Sequence, residues 1–340
     1  MTGDDARYDG HMLIVASRPR KLKQATRFAR LTPPQDKIPH PFRVTDRVLA
    51  ILSALASHRF LSTSQIARLD GGSARVVAHL MRLLHRHGFV DRPPAQAAYL
   101  SSFLHEGNVS LVHSITRKGM RLLADNGVPS DPRLDWTTKN TGNTALFLAH
   151  ALQVSETMLA FRLAMPADAS LRLIDHNELL PSFADAARES EFPYRLVVTI
   201  QEDRKPFTFR VIPDRLFSIT AANGQRWNLA LEIDRGTESL TPRSKKLSAK
   251  STFRKKITGY FHAWKHGKHT ETWNFQSFRC LTITTSDARI DHMLDVQRDV
   301  TNDSAAGLFL YSTRDRLQEH GVLGPAWRSS KDDSITLVRT

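Results

Sequence analysis

Three helical periodicities followed by short strand patterns, then a break rich in proline and glycine, then strands interleaved with helices: this order predicts an α+β chain. The first block reads as a winged helix-turn-helix and the second as an α/β sheet domain. At 340 residues the chain is longer than one ordinary core, so two folded units are expected. The boundaries that the composition suggests are a basic arm over 1–42, the winged helix over 43–126, a linker over 127–143 and the sheet domain over 144–340.

The arm carries Arg18, Arg20, Lys21, Lys23, Arg27 and Arg30 with prolines at 33, 34, 39 and 41, a composition expected to stay unfolded alone and to meet phosphates. Behind it, apolar residues at 44, 48, 51, 52 and 55 form a helical stripe, with Thr45 or Asp46 as its cap. LSTSQIARLDGG (61–72) gives a short second helix stopped by Gly71-Gly72. The third helix, within 73–92, has Val76, Val77, Leu80, Leu83 and Leu84 as its expected buried face and ends at Gly88. Phe89-Val90 and Val109–His113 supply the wing, and ITRKGMRLLADNG a fourth helix.

In such a unit the third helix enters the major groove. Ser73, Arg75, His79, Arg82 and Arg86 lie off its apolar stripe and are the expected DNA contacts, Arg75 and Arg82 foremost because a guanidinium binds guanine edges or phosphates. A solvated face on a protein-binding winged helix is the alternative.

Past the linker, TALFLAHALQVSETMLAFRLA (144–164) is a long helix, and Glu156 lies one turn beyond Leu152, toward the side expected to be buried. Strands are expected over 194–202, 207–214, 227–234, 278–285 and 308–312, with a helix over 250–265 whose apolar side is Phe253, Ile257, Tyr260, Phe261 and Trp264. From Ser239 to Thr270 there is no acid, and Arg243, Lys245, Lys246, Lys250, Lys255 and Lys256 are among its cations. Lys245, Lys246 and Lys250 are expected to contact phosphates.

The net charge of +14 makes nucleic acid, double-stranded DNA first, the expected partner, because such a surface displaces counterions from phosphate backbones. RNA binding by the basic segment is a third reading. No apolar run approaches the roughly 20 residues of a spanning helix, so no membrane insertion is expected. The single cysteine, Cys280, excludes an intramolecular disulfide and a multi-cysteine zinc site, and a reducing cytoplasm fits. Winged helices often dimerise, so a homodimer is one expected arrangement, although no dimer seam stands out.

The stretch LALEIDRGTES (229–239) puts two carboxylates into an apolar strand. Residues two apart on a strand share a face, so Glu232 and Asp234 are expected to point the same way. A hairpin through Asn223-Gly224 would bring Asp214, at the end of the preceding strand, toward Glu232. Such carboxylates suit Mg²⁺, which takes oxygen ligands and keeps several waters, with Asp214 and Glu232 as the metal ligands. Pairing with arginines or lysines in a binding-only fold is the alternative.

An acid after proline, a hairpin, and then Glu-x-Lys resembles the PD-(D/E)XK nuclease superfamily. Here Asp234 occupies the place of the usual lysine, and the resemblance implies that Lys256, on the following helix, supplies it, with Lys255 as the nearest competitor, while Glu156 corresponds to the acid on the helix ahead of the sheet. Over residues 44 to 265 the chain also resembles the replication-relaxation family of plasmids and mobile elements. That likeness is carried by ThrArgLysGly (116–119), LeuAlaHis (148–150), IleProAsp (212–214), LeuGluIleAspArgGlyThrGluSer (231–239), Lys256 and Tyr260. It implies DNA binding connected with replication or relaxation, with replication or mobilisation proteins as partners. The catalytic set that the PD-(D/E)XK resemblance suggests is Asp214, Glu232, Asp234, Lys256 and Glu156, acting with Mg²⁺ as a DNA endonuclease; a non-catalytic replication accessory or transcriptional regulator is the other reading.

Overall fold

A computed structural model describes residues 42–97, 110–128, 140, 143–166, 170–202, 205–237, 239–240 and 253–338. The expected arm up to residue 41, most of the expected linker, and Lys245, Lys246 and Lys250 lie outside these residues.

The N-terminal unit begins with α1 (Asp46–His58), β1 (Leu61–Ser62), α2 (Thr63–Asp70) and α3 (Ala74–Arg86). It continues with β2 (Val90–Asp91), β3 (Val112–Ile115) and α4 (Arg117–Asp125). The strands form one antiparallel sheet in the order β1-β3-β2. Hydroxyl caps set the helix starts: Thr45 accepts from the Val48 N–H, Ser62 and Gln65 form a reciprocal capping box, and Thr116 accepts from Gly119. Each such cap contributes about 1 kcal/mol. Gly119 is dictated by close packing, because a Cβ there would stand 2.3 Å from the Phe89 carbonyl oxygen.

On α3 the buried residues are Val77, Met81, Leu84 and His85. Val76, expected inside, is 48% exposed, so the true stripe is rotated by part of a turn from the expected one. The wing strand starts three residues later than expected, at Val112.

A 19-residue helix, α5 (Ala145–Leu163), joins the two parts of the molecule. It is apolar nearly all round, the pattern of a helix covered on more than one side. Leu148 and Leu152 pack with Phe60 and Val112 of the N-terminal unit, while Met158 and Phe161 enter the core beneath the large sheet. The Ser155 hydroxyl donates to the Phe60 carbonyl at 2.9 Å. This helix, expected only to open the second domain, therefore serves both cores.

The second part continues with β4 (Leu171–Ile174), the single-turn helices α6 (His176–Leu179) and α7 (Asp185–Arg188), and the hairpin β5 (Leu196–Glu202) with β6 (Lys205–Val211). Then come β7 (Arg215–Ala221), β8 (Arg226–Ile233), α8 (Phe253–Lys265), α9 (Lys268–Trp273), β9 (Arg279–Thr284), α10 (Asp287–Thr301), β10 (Phe309–Thr313) and α11 (Arg314–His320). The five-stranded sheet runs β10-β9-β8-β7-β4; β8, β9 and β10 are mutually parallel, and β7 is antiparallel to both of its neighbours. One face packs on α8 and α10 through Phe253, Ile257, Tyr260, Ile290 and Met293, the other on α5 and the C-terminal segment through Phe217, Leu231, Leu310 and Trp327.

Two expectations are corrected here. The strand expected over 207–214 ends at Val211, and its partner is β5 in a separate two-stranded sheet. Pro213 has no N–H to continue a ladder, so Asp214 falls in a bend just ahead of the next strand rather than ending this one. That next strand, β7, was not anticipated, nor was β4: Arg215–Ser218 is buried residue after residue, without the alternation that marks a half-exposed strand. On α8, Trp264 is 37% exposed rather than inside. Among the described residues no helix is long and apolar enough to cross a membrane.

Candidate functional site

The register of β7 on β8 pairs Arg215 with Leu231, which brings Asp214, one residue earlier, beside Glu232. An Asp214 carboxylate oxygen (Oδ2) accepts the Ile233 N–H at 2.7 Å, fixing the acid against the strand. Glu232 is 5% exposed and points to the α8 side of the sheet. There its Oε1 accepts from the Tyr260 hydroxyl at 2.6 Å, and Lys256 Nζ lies 3.1 Å from its Oε2. Lys256 and Tyr260 are one turn apart on α8, so one helical face delivers both. A small internal cavity is lined by Glu232, Asp234, Lys256, Tyr260 and Cys280.

Burial and the neighbouring Asp214 carboxylate push the Glu232 pKa up to about 7, against the pull of Lys256 and the Tyr260 hydrogen bond. Burial first, and then the charge of Glu232, raise Tyr260 well above the usual phenol range. Burial and Asp214 thus disfavour the ionised form of Glu232, the direction of shift common among acids at reactive centres.

His150 was absent from the expected site. Its Nε2 lies 3.0 Å from Asp214 Oδ1, and that hydrogen bond raises the imidazole pKa. The signal was present in the sequence as a lone histidine in the otherwise apolar stretch ALFLAHAL.

Asp234 lies on the same side of β8 as Glu232, as the strand period requires, and its carboxylate is committed to other partners. Arg289 of α10 holds it in a two-point ion pair, with Nη2 to Oδ1 at 2.9 Å, and the Thr284 hydroxyl donates to it at 2.6 Å. Glu156, expected to join the acids, lies elsewhere. Its carboxylate pairs with Arg68 and accepts from Gln65 Nε2 at 3.0 Å, so it bridges α5 to α2. The helix period explains the exchange, because six residues turn a side chain by about 600°, well away from the line of His150.

The donor set offers a divalent ion two carboxylates, Asp214 and Glu232. That suits Mg²⁺, which is usually bound through one or two protein carboxylates with water completing its shell. A cation there would also offset the burial and Asp214 repulsion that disfavour ionised Glu232. Among the described residues no group of three or more histidine, cysteine or acidic side chains is placed to hold an ion.

Ser73, Arg75, His79, Arg82 and Arg86 are all exposed. Spacings of four, three and four place Arg75, His79, Arg82 and Arg86 along one side of α3. Arg82 Nη2 lies 3.4 Å from His79 Nδ1.

Behind the acids lies a buried network that the sequence did not disclose. Arg215 donates Nε and Nη2 to Asp175 at 2.9 and 2.6 Å, and Nη1 and Nη2 to the carbonyl and hydroxyl of Ser57, each at 2.8 Å. The Ser57 hydroxyl in turn donates to Asp175 at 2.7 Å. Although burial opposes it, the Arg215 charge holds Asp175 well below the usual carboxylate range. The end of α1 is thereby tied to the residue that follows Asp214.

A family model described as replication-relaxation matches residues 52–276, from within α1 to beyond α9. No curated protein and no solved structure matched the chain. The family points to a role in plasmid or mobile-element replication or relaxation, among DNA and replication machinery. With more than half of its length matched by that model, the chain belongs to the replication-relaxation family.

Proposed function

We propose that the protein binds duplex DNA through a winged helix and cuts or nicks a phosphodiester in a PD-(D/E)XK-like domain with Mg²⁺. The observation that carries this reading is Lys256 at 3.1 Å from Glu232, beside Asp214: the lysine missing from the strand is supplied by the following helix. Three helices with the sheet order β1-β3-β2, and the exposed basic line on α3, support the winged-helix part. Asp214 and Glu232 would hold the ion, which supplies polarisation of a phosphoryl oxygen and a more acidic water. Lys256 stabilises charge on the scissile phosphate or orients the attacking water. Tyr260 holds Glu232 in place, and Asp234 acts through Arg289 to fix the end of β8.

A second reading is a DNA-binding accessory without catalysis. It is favoured by the state of Glu232 itself, whose two oxygens already have protein partners, Tyr260 and Lys256.

Supercoiled plasmid incubated with the protein in Mg²⁺, Mn²⁺ or chelator separates the two. The nuclease reading expects metal-dependent nicking that Asp214→Ala and Glu232→Ala abolish while duplex binding survives. Nicking at the wild-type rate in both variants removes the site assignment, and a shifted but uncut plasmid in every lane supports the accessory. Arg75→Ala and Arg82→Ala should each lower the salt dependence of duplex binding by about one charge; unchanged affinity in both would remove α3 from the interface.

A further inference from the structure

Between the N-terminal unit and the large sheet lies a half-open cleft of about 770 Å³. Three arginines line it: Arg68 from α2, Arg235 just past β8, and Arg314 at the start of α11. Glu156 is the one acid in the lining, and Ser64, Ser110 and Gln153 add hydrogen-bonding groups. The sheet side of the cleft sits at the carboxyl ends of the three parallel strands, where open α/β sheets commonly bind ligands.

The cleft adjoins the acid cluster along the chain at two points. Ala149 lines it and His150 touches Asp214; Arg235 lines it and Asp234 lines the cavity beside Glu232. Two of its arginines are held loosely, while the third, Arg235, donates Nη1 to the Leu146 carbonyl at 2.8 Å. Arg68 pairs with Glu156 across a bridge in which both side chains are about half exposed, the kind of pair worth little in water and easily given up to a phosphate. Arg314 is exposed and makes no ion pair among the described residues.

We propose that this cleft holds a single polynucleotide strand by its phosphates and leads it to Asp214, Glu232 and Lys256. The inference rests on the nucleolytic reading for the destination of the strand, but not for its binding. Charge fixes the ligand as a polyanion. Size fixes it as one strand, since a volume of this order takes a drug-sized molecule, a few nucleotides of chain rather than a turn of duplex. No aromatic side chain lines the cleft, so stacking platforms are not in play and recognition is by backbone, indifferent to sequence.

The test uses the full chain with chelator present, reading fluorescence anisotropy of a labelled oligothymidylate and of a duplex of equal length. Arg314→Glu and Gln153→Glu are compared with Lys331→Glu, an exposed position outside the cleft that changes the net charge as Arg314→Glu does. The expected result is a tenfold or greater loss of single-strand affinity in the two cleft variants, with duplex affinity within twofold and Lys331→Glu near wild type. Arg314→Ala should reduce the salt slope for the single strand by about 0.7. Unchanged single-strand affinity in both cleft variants would overturn the proposal. So would equal losses for strand and duplex, or a mononucleotide that binds as tightly as the strand. Because binding is read without metal, a protein that never nicks yet loses strand binding in Arg314→Glu refutes the catalytic reading alone. One that nicks normally and binds single strands unchanged in these variants refutes the cleft alone.

Discussion

Replacing Arg215 with alanine should loosen the join between the N-terminal unit and the sheet. Arg215 and Asp175 keep only 9% and 6% of their side-chain surface, and the guanidinium makes four hydrogen bonds, two to Asp175 and two to Ser57. Without it Asp175 retains the Ser57 hydroxyl and the His176 N–H, each at 2.7 Å, and the His176 ring Nδ1 at 3.1 Å, and the nearest other guanidinium is Arg162 at 3.9 Å, half exposed. Removing one partner of a buried pair leaves an uncompensated charge and costs about 3–5 kcal/mol. At about 2–4 °C per kcal/mol for a domain of this size, the midpoint of thermal unfolding should drop by roughly 6–20 °C. The double variant Asp175→Leu with Arg215→Met should recover much of that loss, because both charges leave together. Circular dichroism during thermal and urea unfolding of the single and double variants measures the coupling, expected to exceed about 2 kcal/mol. The acid side gives a second reading. Since Asp175 is held well below its ordinary pKa, its contribution is present above the unfolded carboxylate range and is lost as pH falls, and Arg215→Ala should remove that loss. A cost under about 1 kcal/mol, or a double variant that loses the sum of the singles, would show that the network is solvated and does not join the units.

Glu232 has the opposite sign. Its folded pKa, pushed up to about 7 chiefly by burial, lies above the ordinary carboxylate value of 4.5, so the folded state binds the extra proton and stability declines as pH rises from about 4.5 to 7. Glu232→Gln should flatten that decline and stabilise the protein at pH 8 by up to about 3 kcal/mol, at the expense of any nicking. An unchanged pH profile in urea unfolding would mean that Glu232 is ionised without penalty. Gly119→Ala places a methyl 2.3 Å from a backbone oxygen that cannot swing aside, so unfolding should shift by about 1–3 kcal/mol; a neutral result would place α4 farther from Phe89.

The period of apolar residues placed α1 to α5 and α8 because each buries a stripe against its own neighbours, a local property, while α10 and the short helices α6, α7, α9 and α11 were not anticipated. It failed on α3 by part of a turn because Met81 and His85, rather than Val76, face the core, and neither the flexible thioether nor the histidine marks a stripe as clearly as valine does. β7 escaped because a strand covered on both faces loses the alternation that identifies it. That Glu232 needs partners was legible because an acid inside an apolar strand is costly, and the hairpin pointed to Asp214 beside it; Lys256 was suggested only by the resemblance to a known pattern. Glu156 and His150 were not separable by sequence: each is a polar residue on the same apolar helix, and which one reaches the acids depends on the rotation of that helix against the sheet.

By itself, then, the sequence determined what local forces decide: the helices α1 to α5 and α8, most of the strands, the basic character of the surface and the strand carrying two carboxylates. Only the tertiary structure decided what depends on distance across the fold. It gave Asp234 to Arg289 and Glu156 to Arg68, put His150 on Asp214, and joined Ser57 to Asp175 and Arg215 across 118 and 158 positions of chain. The physical reason is that helix and strand periods act over a few residues. The partner of a buried charge is chosen by packing among side chains that the chain brings together only when both cores have formed.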